Sequence, residues 1–260
     1  MSGVTFYTGT HMTNWLWEWR APLFVSRRRL IRQNRHRPAL APWALDSGGF
    51  TELNLHGTWT VSPRIYAAEV RRYSQDIGRL SWAAIQDWMC EPFVLAKTGK
   101  TVLEHQELTI RSYLDLKSLA PDLPWTPVVQ GYELSDYLRH VDMYRAAGVE
   151  LEGLPIVGVG SVCRRQHSAE AREIFRQLHG MGLRLHGFGL KLRGLAVSAQ
   201  YLASADSMAW SFQARRAAPL PGCSHASCAN CLRYAKTWRR KVVAIPGVSS
   251  FLRSDLLAAA

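Results

Sequence analysis

Two aspartates in this chain, Asp46 and Asp206, each close a short apolar run and each precede a serine. Two carboxylates so placed suit chemistry at a glycosidic bond, where one attacks the anomeric carbon and the other moves the proton of the leaving or entering base. Either alone reads equally as a helix cap or a ribose-binding acid. The string Asp46-Ser47-Gly48-Gly49-Phe50 is more specific, because tandem glycines after an acid let a planar ligand approach the backbone. Asp87 and Gln130 close two further runs. A carboxylate accepts from the N–H edge of guanine and an amide donates to its O6, so these two residues with glycine amides make a purine cradle. Each could instead cap the helix that follows. Gly158-Val159-Gly160 lacks the Lys-Ser/Thr of a phosphate loop and reads as a floor for a flat base. His11, after the first run, reads as a packed or surface histidine, with the same rim within reach as the alternative.

A second constellation is Cys223-x-His225-x2-Cys228-x2-Cys231. Four such ligands can close a tetrahedral Zn2+ shell, and a filled shell makes the metal structural, with no position for an activated water. The plainer alternative is three loop cysteines and a surface histidine, and His225 is the ligand that a distant histidine could replace. Arg233-Tyr234-Ala235 and Trp238-Arg239-Arg240 follow directly, so the metal would anchor a basic helix. Cys90 and Cys163 stand alone. An odd cysteine total, this clustering and no signal-peptide pattern at the N-terminus point to a reducing compartment, the cytoplasm, or the host cytoplasm for a phage protein.

The elements that must position these residues alternate. Strand-like runs cover 4–9, 22–26, 43–48, 82–87, 126–131, 154–161, 183–191 and 203–210. Helices are predicted from Ser62-Pro63 to Gly78, over 101–116, from Leu134 to Gly148, and from Ser168 to Gly180. Alternation of this kind implies a parallel sheet, and eight strands fit an α/β fold of the (β/α)8 TIM type. The expected organisation is a barrel over 1–212 and a small zinc-binding subdomain with a basic helix over 213–260. A barrel gathers chemistry at the C-terminal ends of its strands, where Asp46, Asp87, Gln130, the Gly158–Ser161 stretch and Asp206 all fall.

The 260 residues are 47% hydrophobic and 20% charged, with 10 Trp, 9 Tyr and 8 Phe, which excludes disorder. No apolar run is long enough to span a membrane. Lys and Arg outnumber Asp and Glu by 32 to 20. The excess concentrates in Arg20, Arg27, Arg28, Arg29, Arg32, Arg35 and Arg37, and again in Arg233, Lys236, Arg239, Arg240 and Lys241. Two Arg-rich runs near Trp15, Trp17, Trp19 and Trp238 favour nucleic acid over a merely solvated face.

In chain order, Asp46-Ser47-Gly48-Gly49-Phe50, Gln86-Asp87, Val129-Gln130-Gly131, Gly158-Val159-Gly160-Ser161, His186-Gly187-Phe188-Gly189, Ala205-Asp206-Ser207 and the cysteine-rich cluster resemble the tRNA-guanine transglycosylases. The set is more similar to their DNA-acting relatives, the deazapurine DNA-modification transglycosylases of phages and bacteria (the DpdA family), and covers residues 4 to about 240. The resemblance implies that Asp206 is the nucleophile that takes the sugar and Asp46 the general acid/base. It implies that Ser47, Gly48, Asp87, Gln130, Gly158 and Gly160 bind the base. Guanine in DNA would be exchanged for a free 7-deazaguanine with retention, through a covalent Asp–sugar intermediate. The tRNA enzymes carry an acid after the glycine loop that helps hold an aminomethyl cation. This chain has Arg164 and Arg165 there, which favours a neutral substituent such as that of 7-cyano-7-deazaguanine. The tRNA enzymes are longer, take their zinc histidine from a distance and resemble dimers, so a homodimer is one assembly implied. The same exchange on tRNA is the second reading, and a catalytically inactive zinc-dependent nucleic-acid-binding barrel the third.

Overall fold

A computed structural model describes residues 3–249. The strands are β1 (Thr5–Thr10), β2 (Leu23–Ser26), β3 (Trp43–Asp46), β4 (Leu80–Ala84), β5 (Trp125–Thr126), β6 (Val128–Val129), β7 (Val157–Val159), β8 (Leu185–Gly187) and β9 (Leu202–Ser207). Every pair is parallel, in the order β5-β4-β3-β2-β1-β9-β8-β7-β6. The expected fifth strand is therefore two short pieces. Pro127 has no N–H to give to a ladder, so Trp125 and Thr126 pair with β4 while Val128 and Val129 pair with β7. The proline joins the two ends of the order, and the result is a nearly closed α/β barrel with helices outside it.

Strand alternation explains which residues face inward. Tyr7, Phe24, Ala44, Trp82 and Ala84 form the interior layer, with Ile156 and Phe188 against it. Two residues further along the same faces stand Ser26 and Asp46 and, across β1 on β9, Asp206 beyond Ser204. The register holds Ser26 beside Asp46 and Tyr7 beside Asp206. A chemical rim above an aromatic floor follows from this period of two.

The helices follow their signals. Ser62 Oγ accepts from Ile65 N at the start of Pro63–Ile77, which buries Tyr66, Val70, Tyr73 and Ile77. A Thr101–Glu104 capping box opens Val102–Leu119, and Ser168 caps Ala169–Gly180. The basic segments divide their labour. Arg27 is buried, and its Nε lies 2.5 Å from Glu69, so it braces the fold instead of facing a partner. Trp15, Trp19 and Trp238 are buried as well and are packing residues.

The C-terminal helix Leu232–Val243 lies against β1. Trp238 packs on Phe6 at 5.9 Å, and Arg239 Nη1 donates to Phe6 O at 2.7 Å and to Thr8 Oγ1 at 3.0 Å. Ala235, Trp238 and Val242 belong to the same hydrophobic core as the barrel. Residues 250–260 of the expected second domain lie outside the described residues. No helix among the described residues is long and apolar enough to cross a membrane.

Candidate active site

The C-terminal ends of the strands surround a cavity of about 670 Å³, within the range of small-molecule sites. Asp46, Ser47, Gly48, Asp87, Gln130, Gly160 and Asp206 all line it. His11 lines it too, half-buried, so the rim alternative describes where this histidine stands. Gly158 is placed differently. A Cβ there would meet the Phe188 ring at 2.6 Å, so Gly158 lies behind Phe188, and that ring supplies the wall.

Asp46 ends β3, and its Oδ1 accepts from Gly48 N at 3.1 Å, a turn that Gly48 can make because it adopts φ +83°. Burial pushes the Asp46 carboxyl up, against the Gly48 and Ser26 hydrogen bonds, and the nearby Asp206 charge adds to the rise. Asp206 is the penultimate residue of β9 and is 5% exposed. Its Oδ1 accepts from Gly189 N at 2.9 Å and lies 3.3 Å from His186 Nε2.

The far wall is a buried network. Gln130 Nε2 donates to Asp87 Oδ2 at 2.5 Å, and Ser47 Oγ lies 3.5 Å from Asp87 Oδ1. Ser161 Oγ lies 2.7 Å from Gln130 Oε1 and 2.9 Å from Glu91 Oε2, and accepts from Cys90 N at 2.7 Å. These contacts fix the amide orientation, with nitrogen toward the carboxylate. Gly160 serves Gln130 directly, since a Cβ there would stand 2.2 Å from the amide nitrogen. Behind the wall, Gln106 Nε2 donates to Gln130 O at 2.7 Å, and Gln130 N donates to His140 Nδ1 at 2.8 Å.

Burial pushes Asp87 up to about 7, with the Gln130 hydrogen bond opposing and the charges of Asp46 and Glu91 adding. The folded protein therefore holds a proton on Asp87 that the unfolded chain, with an ordinary carboxyl near 3.9, has released. Its stabilising protonated form is fully present below about pH 4 and is lost as pH rises through about 7. Asp87→Asn should accordingly gain stability over the wild type at pH 8, by roughly 1–3 kcal/mol once cavity water is allowed for. The gain should shrink toward pH 4.5. Urea melts at the two pH values check this, and a gain equal at both would contradict it.

A family model for DpdA, described as DeoxyPurine in DNA protein A, matches residues 3–256. The chain belongs to the DpdA family. DpdA is a tRNA-guanine transglycosylase-like family, which supports a transglycosylase that inserts 7-deazaguanine into DNA as the general activity. No curated protein matches the chain.

Within this DpdA barrel, one cavity acid carried no role in the sequence reading, and three cavity arginines carried only the general role of a run that favours nucleic acid. Glu91 follows Asp87 by four residues, and Arg28, Arg29 and Arg32 come from the first basic run. Glu52 pairs with Arg28 at 3.1 Å and accepts from Thr60 Oγ1 at 2.5 Å. Arg164 and Arg165 do not line the cavity: the first lies over the Phe93 ring at 4.5 Å and over the ring of Phe50 at the mouth at 5.8 Å, and the second lies 4.4 Å from the Tyr132 ring. The wall's cations are Arg28, Arg29 and Arg32 instead. The signal for these residues was a basic run read as a nucleic-acid face without a place at the cavity, and an acid four residues beyond Asp87.

The DpdA chain also brings Cys223, His225, Cys228 and Cys231 together, with their ligand atoms within 4.8 Å of one another. Cys228 Sγ lies 3.9 Å from Cys223 Sγ and 3.1 Å from His225 Nε2. A tetrahedral zinc with Zn–S bonds of about 2.3 Å spaces its sulfurs about 3.8 Å apart, so the donor set fits a metal such as zinc. Leu220 N donates to Cys228 Sγ at 3.3 Å.

Proposed function

We propose that this DpdA protein exchanges guanine in DNA for a free 7-deazaguanine by two displacements at one sugar carbon. The observation that carries the reading is the convergence of Asp46 and Asp206 on one cavity whose far wall holds Asp87 and Gln130. Asp206 attacks C1′ and the C1′–N9 bond breaks, its electron pair passing to the guanine as Asp46 donates a proton. The raised Asp46 carboxyl suits that donation. The sugar is then held as an ester of Asp206. The incoming base gives its N9 proton to Asp46 carboxylate, its N9 attacks C1′, and the ester bond electrons return to Asp206. Each displacement inverts, so the configuration is retained, and no proton or energy source is consumed overall.

Asp87 and Gln130 are the proposed readers of the guanine edge, with Ser47, Gly48 and Gly160 shaping the approach. Gly158 acts through Phe188. A nucleotide must leave the stack to reach this depth. Arg29 and Arg32, in no ion pair among the described residues, offer phosphate contacts at the mouth. Phe50, 45% exposed at the same mouth beside Phe93, offers a face for a neighbouring base. The proposed incoming base is 7-cyano-7-deazaguanine, whose neutral nitrile avoids like charge with Arg28, Arg29 and Arg32. Preference for the aminomethyl base in a direct competition would overturn that assignment.

The test is mass spectrometry of nucleosides from DNA and from tRNA, digested separately, after expression in cells that make 7-cyano-7-deazaguanine. A deazaguanosine in DNA alone, lost with Asp206→Ala, is the expected result. A modified nucleoside in tRNA alone would move the substrate to tRNA.

A further inference from the structure

His186 touches the proposed nucleophile, and the exchange above gives it no task. It stands in β8 opposite Ser204, with no exposed surface. Four rings enclose it, Trp82 at 4.6 Å, Phe188 at 4.7 Å, Phe24 at 5.8 Å and Tyr7 at 6.3 Å. Both ring nitrogens nevertheless have polar partners. Nδ1 lies 2.8 Å from Ser204 Oγ, and Nε2 lies 3.3 Å from Asp206 Oδ1.

These partners decide the tautomer. A carboxylate only accepts, so Nε2 carries the hydrogen, and the Ser204 hydroxyl donates to Nδ1. Gly189 N–H reaches the same Oδ1 at 2.9 Å. Two N–H groups thus converge on one oxygen of Asp206, while no donor among the described residues reaches Oδ2. The aromatic packing holds the imidazole in place, and Ser204, two residues before Asp206 on the same strand face, fixes which nitrogen points at the carboxylate.

We infer that His186 is a positioning residue that divides the Asp206 carboxylate into a held oxygen, Oδ1, and an attacking oxygen, Oδ2. The inference rests on the transglycosylase reading. As Oδ2 bonds to C1′, Oδ1 becomes the carbonyl oxygen of the glycosyl ester and keeps both hydrogen bonds. When N9 of the incoming base attacks C1′, the C1′–Oδ2 electron pair returns to the carboxylate. Oδ1 shares the growing negative charge, and the same two donors meet it. The imidazole transfers no proton. It therefore assists departure of the sugar from Asp206 more than its capture.

The experiment uses the full chain, a guanine-containing DNA oligonucleotide and free 7-cyano-7-deazaguanine, with the protein–DNA adduct followed on denaturing gels. His186→Phe keeps a buried ring and loses the donor. Its kcat should fall about 100-fold with KM for the oligonucleotide within about threefold, and adduct should accumulate above the wild-type level. His186→Gln returns an N–H near the Nε2 position and should recover about tenfold of that loss. Equal rates for the two variants, or a change in KM alone, would reduce His186 to a packing residue. Histidine nitrogen NMR of the wild type is an independent check that needs no variant to fold: the Nε2–H tautomer is expected at His186, and an Nδ1–H tautomer would overturn the inference. Absence of both adduct and base exchange in the wild type would sink the transglycosylase reading itself, whatever the His186 variants do.

Discussion

Asp206→Asn should form no covalent adduct with guanine-containing DNA, and its base exchange should fall by at least about 10⁴-fold. The substitution is chosen because it removes so little. An asparagine oxygen still accepts from Gly189 N and from His186 Nε2, the contacts made by Oδ1. The amide has nearly the volume of the carboxyl, in a position only 5% exposed. What disappears is the anionic oxygen that must bond to C1′, so the loss measures the nucleophile and not the fold. Affinity for the oligonucleotide should stay within a few-fold of the wild type, because the phosphate contacts proposed for Arg29 and Arg32 lie at the mouth. A binding barrel without catalysis predicts the opposite pattern, with no adduct from either protein and no difference between them. An adduct that persists in the variant would pass the nucleophile's part to Asp46, the other rim carboxylate of the pair.

The rim was legible in the sequence because strand alternation forces it. Asp46 and Asp206 each end a run whose preceding inward residue packs the barrel floor, Ala44 in one case and Ser204 against His186 in the other. A motif at a strand end therefore named both a place and a direction. Gly158 shows where that logic stops. Its spacing from Gly160 suggested two glycines beneath one flat base, yet each glycine makes room for a protein group, Phe188 for one and Gln130 for the other. Which neighbour arrives at a bare Cα depends on packing between strands, and the chain order does not contain it. The split of the fifth strand at Pro127 was in principle readable, since a proline without an N–H cannot sit unbroken in a central ladder. His186 lay inside a recognised motif but had no visible partner, because Ser204 and Asp206 reach it only through the pairing of β8 with β9. The basic run was overread in one respect. Arg27 spends its charge on Glu69, while Arg28, Arg29 and Arg32, one to five positions later, stand in the cavity wall.

Removal of the metal is expected to cost more stability than any cavity substitution. The purified protein should carry one zinc per chain, and Cys228→Ser should lower the melting temperature by about 10 °C or more. Four ligands packed within 4.8 Å of one another would be held apart and oriented by a bound ion, a constraint that the loop's few hydrogen bonds to Ser211 and Ala214 do not supply. Cys228 is the ligand to change because it is buried and already accepts from Leu220 N, so a serine there leaves an unmatched pocket. The consequence reaches the barrel through two routes. Cys231 immediately precedes Leu232–Val243, the helix that clamps β1 through Arg239 on Phe6 O and Thr8 Oγ1. Ser211 Oγ donates to Ala229 O at 2.7 Å, which ties the metal loop to the helix that follows β9 and its Asp206. Loosening the loop therefore frees strands on both sides of the β1–β9 pairing. A loss of about 3–5 kcal/mol, at 2–4 °C per kcal/mol for a chain of this size, corresponds to roughly 6–20 °C, a range that brackets the stated shift. The barrel core remains, so the effect stays below the 10–16 kcal/mol that zinc supplies to domains with no core of their own. Elemental analysis with melting curves before and after a strong chelator reads it directly. A protein that is metal-free as purified and melts unchanged with chelator would return the four residues to ordinary loop chemistry, leaving Ala235, Trp238, Arg239 and Val242 to hold the helix.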